Sequence, residues 1–515
     1  MRTLLLLFIA VQMACSSASE PKAEKAPLQR SVTGGEVVGF SESGVHKWLG
    51  IPFAAPPVGD LRWKAPQPVV AWDSVRSAKA FGPAAMQHNV WGDMMYRSDG
   101  FSEDCLYLNV WAPEGGGEDL PVLLYFYGGG LVAGDGSETR YDGASMAREG
   151  IVVVTTNYRL NVFGLLAHPE LSAEASYKAS GNYAHLDQVA ALQWVSENIS
   201  AFGGDAKHIT IAGESAGSKS VSTVLTSPLS RKLVAGAIGE SGAAIKPTMA
   251  PTSLAEAEQV GLEFVERIGA TSLKELRAIP ADSLYARYLR NTVRFPTVID
   301  GYLTETSVDQ VYEAGDVPNV PLLVGWNSQE MPAAVLLGED MTARNFVAQV
   351  NARMASVAKD LLAVLPHNTD EEAVASATLL ASDNFTGYST WRWSDLHANE
   401  IKAPTFRYYY THPRLGEAGI GAPHAAEIPY ALGNLDIHKT YEWNDSDRKT
   451  SETMKAYFAN FIKKGNPNGE ALAEWDAVPA SAKTPPVMVI NAQSSETEAD
   501  DRRYPILQRL YEMEE

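Results

Sequence analysis

A serine with a glycine two residues before it and another two residues after it, Gly213-Glu214-Ser215-Ala216-Gly217, lies between a β-branched run at 209–212 and a helical stretch at 218–225. A strand that turns this sharply into a helix forces the serine into a strained backbone conformation. Its hydroxyl is pushed out at the end of the sheet, and side chains at the glycine positions would collide. As a bare pattern the five residues recur by chance in a glycine-rich chain, so their surroundings must decide.

Those surroundings alternate. Short apolar or β-branched runs at 107–111, 122–125, 151–155, 209–212, 235–238, 322–325 and 406–410 read as strands, several of them bounded by Gly and Pro. Between them, Leu186, Val189, Leu192, Val195 and Ile199 recur at helical spacing, and 447–464 forms a second helix stopped by Gly465 and Pro467. This rhythm predicts an α/β fold with a mostly parallel, twisted sheet covered by helices on both faces. The first hundred residues, rich in Pro and Trp with hairpin-like pieces such as 35–40, predict an antiparallel N-terminal edge. The mostly helical stretch 253–381 predicts helices laid over a sheet edge.

Three other motifs compete with the serine. Residues 213–220 read GESAGSKS, one mismatch from a phosphate-binding loop, with Ser218 in place of the glycine before Lys219. No second strand ending in a magnesium-binding acid accompanies it. Gly128-x-Gly130-x-x-Ala133 mimics a dinucleotide fingerprint, but Gly134-Asp135-Gly136 falls where the helix should start. Gly239-Glu240-Ser241-Gly242-Ala243 lacks the final glycine of a second turn of the same kind. No zinc-type His-Glu motif is present, and two cysteines exclude a cysteine-rich metal site or a disulfide scaffold.

A serine hydroxyl needs a base, an orienting carboxylate and donors for an oxyanion. The apolar run at 122–126 leads straight into Tyr127-Gly128-Gly129-Gly130, whose bare amides can approach a carbonyl. Glu330 in Asn327-Ser328-Gln329-Glu330 and His424 in Pro423-His424-Ala425-Ala426-Glu427 supply the remaining groups.

With 50–54 (GIPFA), 57–63 (PVGDLRW), 102–110 (SEDCLYLNV), 157–159 (NYR) and 202–205 (FGGD) added in this order, the chain resembles the type B carboxylesterase and cholinesterase-like family of α/β-hydrolases, from about Gly35 to Trp475. Within that family it resembles the bacterial para-nitrobenzyl-esterase-like members. The resemblance implies a serine esterase acting through an acyl-enzyme, with no cofactor and no metal. Ser215 would be the nucleophile, His424 the base and Glu330 its orienting acid, in α/β-hydrolase chain order. Gly129, Gly130 and Ala216 would form the oxyanion hole. Ser241 matches a serine that hydrogen-bonds the acid, and Glu214 a buried acid beside the nucleophile. Arg62 with Glu103, and Arg159 with Asp187, match bracing ion pairs.

Two departures stand out. Met331 and Pro332 follow Glu330 where relatives have glycine. Relatives also pair the cysteine of the Glu-Asp-Cys signature with one after Phe-Gly-Pro, and 81–85 holds none. Cys105 is therefore expected as a buried free thiol, and the loop 86–102, which carries Trp91, as an untethered border of the site. The resemblance leaves open a catalytically inactive binding protein on the same scaffold, and an amidase, a thioesterase or a specialised ester hydrolase.

The N-terminus reads as a leader: Arg2, then an apolar run from Leu4 to Val11 too short to span a bilayer. Two alternatives stand. Residues 1–14 form a lipoprotein signal with Cys15 lipidated, or residues 1–18 form a signal peptide cleaved after Ala18. A polar tether at 19–30 and a single hydrolase domain at 31–515 follow. Either alternative exports the protein to the periplasm or beyond, with a small-molecule ester as its partner. The sum of 42 basic and 62 acidic residues is −20, which disfavours nucleic acid and anionic membranes. Oligomeric state is not legible.

Overall fold

Consecutive residues buried along a strand require cover on both faces, and the central strands meet that condition. In the computed structural model, which describes residues 28–414 and 421–513, an eleven-stranded sheet runs through the molecule. Its strands are β1 (Phe40–Glu42), β2 (Val45–Pro52), β3 (Tyr107–Pro113), β4 (Leu120–Phe126), β5 (Val152–Thr156), β6 (Gly204–Glu214), β7 (Gly236–Glu240), β8 (Leu322–Asn327), β9 (Thr405–Tyr410), β10 (Pro486–Ile490) and β11 (Ser495–Glu498). Their spatial order is β11-β10-β9-β8-β7-β6-β4-β5-β3-β2-β1. Every pair from β5 across to β10 is parallel. All residues of β5, β7 and β8 are buried, which is why these strands are continuous apolar runs rather than alternating ones. β1, β2 and β3 form the expected antiparallel edge.

The helices that matter for the site are α1 (Tyr183–Asn198), α2 (Ala216–Thr226), α3 (Leu254–Arg267), α4 (Asp370–Ser382), α5 (Tyr388–Leu396), α6 (Asp445–Lys464) and α7 (Tyr504–Glu512). α6 starts two residues before its apolar pattern, because Asn444 caps the amides of Ser446 and Asp447, and it ends at Gly465 with φ 67°. A second apolar cluster gathers Leu336, Phe346, Leu361 and Leu380 with Tyr504 and Leu507 of α7, against Trp326 of β8. The part of the helical stretch at 336–380 packs there, beside a strand inside the sheet, whereas Ala257 of α3 packs with Ala167 and Val298.

One boundary and three elements differ from the sequence reading. The strand Gln29–Val32 pairs antiparallel with Gly35–Val38, so sheet pairing reaches into the stretch 19–30 read as a polar tether. Strands β10 and β11 and helix α7 were not anticipated. Residues 1–27, with both leader alternatives and Cys15, lie outside the described residues.

Candidate active site

The site is assembled at the C-terminal ends of β6, β7 and β8, and each exit is fastened to the next strand. The Ser215 amide donates to the Glu240 carbonyl at 2.8 Å, the Ser241 amide to Gly325 at 2.8 Å, and the Ser328 amide to Tyr410 at 2.9 Å. Ser215 sits at φ 54°, ψ −118° between β6 and α2, the strained turn read from the sequence. Such a conformation costs about 1–3 kcal/mol and persists only where packing over-determines it. The glycines explain how. A Cβ on Gly217 would lie 2.1 Å from the Phe126 carbonyl oxygen, and one on Gly213 2.6 Å from the carbonyl carbon of Gly217.

Three expected residues meet there. His424 Nε2 lies 2.9 Å from Ser215 Oγ, and its Nδ1 lies 2.5 Å from Glu330 Oε2. The other oxygen of Glu330 accepts from the Ser241 hydroxyl at 2.6 Å and from the Asn327 amide at 2.7 Å. Met331 and Pro332 therefore leave the acid in place, its carboxylate closed against the end of β8. Gly129 and Gly130, at φ 105° and 63°, lie in the loop after β4, and Ala216 opens α2. None of these three amides is spent on another group among the described residues. Gly128 is required as well, since a Cβ there would meet Glu214 Oε2 at 2.6 Å.

Behind the imidazole lies a knot of buried acids that the sequence only partly revealed. Glu214 Oε1 stands 3.3 Å from His424 Nε2, at ion-pair distance but without hydrogen-bond alignment. Burial pushes its carboxyl up to about 8. Glu427, quoted in the His424 block without a role, is fully buried and accepts from Asn327 Nδ2 at 2.5 Å. Its Oε1 is 3.2 Å from Ser241 Oγ. Burial and the neighbouring Glu330 push it up to about 7. Ser241 has one proton, given to Glu330 at the shorter distance, so its contact with Glu427 is a hydrogen bond when Glu427 keeps its own proton. Glu240 accepts from the Tyr125 hydroxyl at 2.9 Å and is likewise raised by burial. For His424, burial alone would lower the imidazole. Glu214, Glu330 and Glu427 override it and raise the ring to about 9.

The bracing pairs stand where the resemblance placed them. Arg62 grips Glu103 through Nε and Nη2, at 2.6 and 2.5 Å, and Arg159 grips Asp187 at 2.8 and 2.7 Å. Cys105 is a buried free thiol. The loop 86–102, however, is not untethered. Arg97 Nη1 donates to Asp142 at 2.7 Å, its amide to Ser137 Oγ at 2.9 Å, and Gln87 exchanges two bonds with the backbone of Gly134 at 2.7 and 2.8 Å. Polar anchors do here what the resemblance assigned to a disulfide.

The histidines without context stay apart from the site. His168 caps a short helix, and His185 bonds Gln188 and Thr297. His412 pairs with Asp447 at 2.8 Å, an arrangement no local motif announced. A cleft of about 290 Å³ between Trp326, Arg407, Tyr409 and Tyr504 contains none of the three residues around Ser215.

Comparison with known proteins identifies the family of the chain. A model of the carboxylesterase family matches residues 26–506. The fumonisin B1 esterase of Sphingopyxis macrogoltabida is 35% identical over 463 residues, 87% of this chain and 84% of its own. The para-nitrobenzyl esterase of Bacillus subtilis is 34% identical over 458 residues, 86% of this chain and 91% of its own. A solved para-nitrobenzyl esterase structure superposes with a TM-score of 0.80 at 30% identity, covering 94% of this chain and all of that one.

Proposed function

The chain belongs to the carboxylesterase family and is a carboxylic ester hydrolase, and from that premise we propose that it works through a Ser215–His424–Glu330 triad and an acyl-enzyme. One observation carries the reading: the unbroken hydrogen-bond chain of 2.9 and 2.5 Å from Ser215 through His424 to Glu330. Ser215 Oγ attacks the ester carbonyl carbon as its proton passes to His424 Nε2. The carbonyl electron pair moves onto oxygen, where the amides of Gly129, Gly130 and Ala216 receive it. Collapse breaks the bond to the alcohol oxygen, which leaves with the proton from His424. Water, deprotonated by the same imidazole, then releases the acid and restores Ser215. Glu330 holds the tautomer with Nδ1–H toward itself and stabilises the imidazolium. Glu214 and Ser241 position His424 and Glu330.

Ser215→Ala should lower kcat by on the order of 10⁴–10⁶-fold with folding intact. An organophosphate should label Ser215, and labelling at Ser241 would overturn the assignment. Hydrolysis should not respond to EDTA.

Export, with either Cys15 lipidation or cleavage after Ala18, is proposed on the leader sequence alone. No helix among the described residues is long and apolar enough to cross a membrane. The mass of the mature N-terminus decides between the alternatives: an acylated Cys15, or an unmodified Ser19.

A further inference from the structure

Two cations flank the Ser215 site without a bonded acid. Lys219 follows the nucleophile by one turn of α2, its amide donating to the Ser215 carbonyl at 3.0 Å. The residue is only 6% exposed, yet its Nζ makes no hydrogen bond or ion pair among the described residues. It stands 5.7 Å from the centre of the Phe385 ring, and that ring packs edge-on against His424 with centroids 4.8 Å apart. Phe385 reaches there from a wide π-helical turn, Asp383–Gly387, between α4 and α5. Arg294 is exposed and also makes no hydrogen bond or ion pair among the described residues. Its Nη2 comes within 3.7 Å of where a Cβ on Gly130 would be, so it overhangs the oxyanion loop. The same point is 4.0 Å from the indole edge of Trp91. Burial, together with Arg294, lowers the Lys219 ammonium to about 8, against the opposite pull of Glu214 and Glu330.

An ammonium on a largely buried side chain with no bonded counter-charge is costly, and no other buried lysine or arginine among the described residues lacks a bonded carboxylate. The buried bases Arg62, Arg140, Arg159 and Arg407 each hold a carboxylate. With 62 acidic residues against 42 basic ones, partners are not scarce. A hydrophobic pocket for neutral esters needs no cation, and a net charge of −20 would repel an anionic substrate unless the site itself offset it. We propose that Lys219 and Arg294 form a carboxylate-binding subsite, so that the preferred substrate is an ester carrying a free carboxylate a few bonds from the scissile carbonyl. The proposal rests on Ser215 being the nucleophile, because it places the anion between that residue's helix and the oxyanion loop.

The test compares charged esters with neutral amides of the same shape. One arm sets monoethyl glutarate, with its carboxylate on the acid side, against ethyl 4-carbamoylbutanoate. The other sets 3-acetoxypropanoate, with its carboxylate on the alcohol side, against 3-acetoxypropanamide. In one arm the anion should show kcat/KM about tenfold or more above its amide, as charge-assisted hydrogen bonds predict, and that arm identifies the side bearing the charge. Arg294→Gln and Lys219→Met should each cut this ratio about tenfold, through KM, and Arg294→Lys should recover part of it. Should Lys219→Met fail to fold, the exposed Arg294→Gln decides alone. Ratios near one in both arms, a ratio that survives Arg294→Gln, or equal loss on both esters would each overturn the subsite. Undiminished hydrolysis of both esters by Ser215→Ala would instead overturn the triad and leave the charge preference standing.

Discussion

His424 is pulled two ways, and under the proposed mechanism the balance sets the pH range of hydrolysis. A free imidazole loses its proton at about pH 6.5, which would put the acid limb of hydrolysis between about 6 and 7. In the folded protein, burial lowers the ring but the carboxylates around it raise it to about 9. Attack needs neutral imidazole, and a raised value keeps the proton on. The acid limb of kcat/KM should therefore lie above pH 6.5, with activity still climbing through pH 7 and 8. Glu214→Gln removes the largest of the raising charges, so the limb should move to lower pH. A limb unmoved by that change would show that Glu214 does not act on the base. Residues at this scale differed in legibility. Ser241 stood out because its turn almost repeats the one at Ser215, but its role beside Glu330 came from the family resemblance. Glu427 was visible beside His424 but carried no signal of its buried contacts with Ser241 and Asn327. Lys219 drew notice only as part of a phosphate-loop look-alike, and Arg294 drew none, since pairing across 75 residues of chain leaves no local pattern.

Between strand and helix, the space left by missing side chains decides what can be changed. Gly217→Ala puts a carbon 2.1 Å from a main-chain oxygen of β4, so backbone must shift. It should cost several kcal/mol and misplace Ser215. Gly92→Ala, where nothing lies within 4 Å, should leave the melting temperature within a degree or two. Calorimetry and hydrolysis on the two variants make the comparison, and equal behaviour would show that the turn is not held by close approach. Central strands were legible because burial on both faces makes them unbroken apolar runs. β6 starts five residues before its apolar part, since Gly204 to His208 is mostly polar and carries a shift in register. β10 escaped notice because it opens on Pro486 after Pro485, a pairing that reads as loop. The strand Gln29–Val32 is polar along most of its length, and tertiary pairing, not propensity, makes it extended.

Across the whole molecule, charge is buried in pairs that brace layers far apart in sequence. Arg159→Met would leave Asp187, fully buried, without its partner. The change should cost about 3–5 kcal/mol in denaturant unfolding. KM of the folded fraction should hold, because the pair touches neither Ser215 nor its loops. Cys105 gives an independent gauge of the same layer. Its thiol is buried and raised well above the usual range, chiefly by burial. A thiol reagent should therefore find no reactive group in the native mature domain and one after denaturation. Rapid reaction in native buffer would mean that the layer opens.

Each of the three exits from β6, β7 and β8 begins with one more rung of the sheet's own ladder, at Ser215, Ser241 and Ser328. The proposed nucleophile, its positioning serine and the acid loop are thus spaced by the interval of about 4.8 Å between neighbouring strands, not by a separate frame. The sheet serves as the ruler of its own chemistry. Helices at the periphery can loosen without altering that spacing, whereas a slip of one residue between any two of these strands would carry Ser215, Ser241 or the Glu330 loop to the opposite face. During heating, lost turnover should keep pace with deuterium uptake at the amides of β6, β7 and β8, while the helical signal follows its own course.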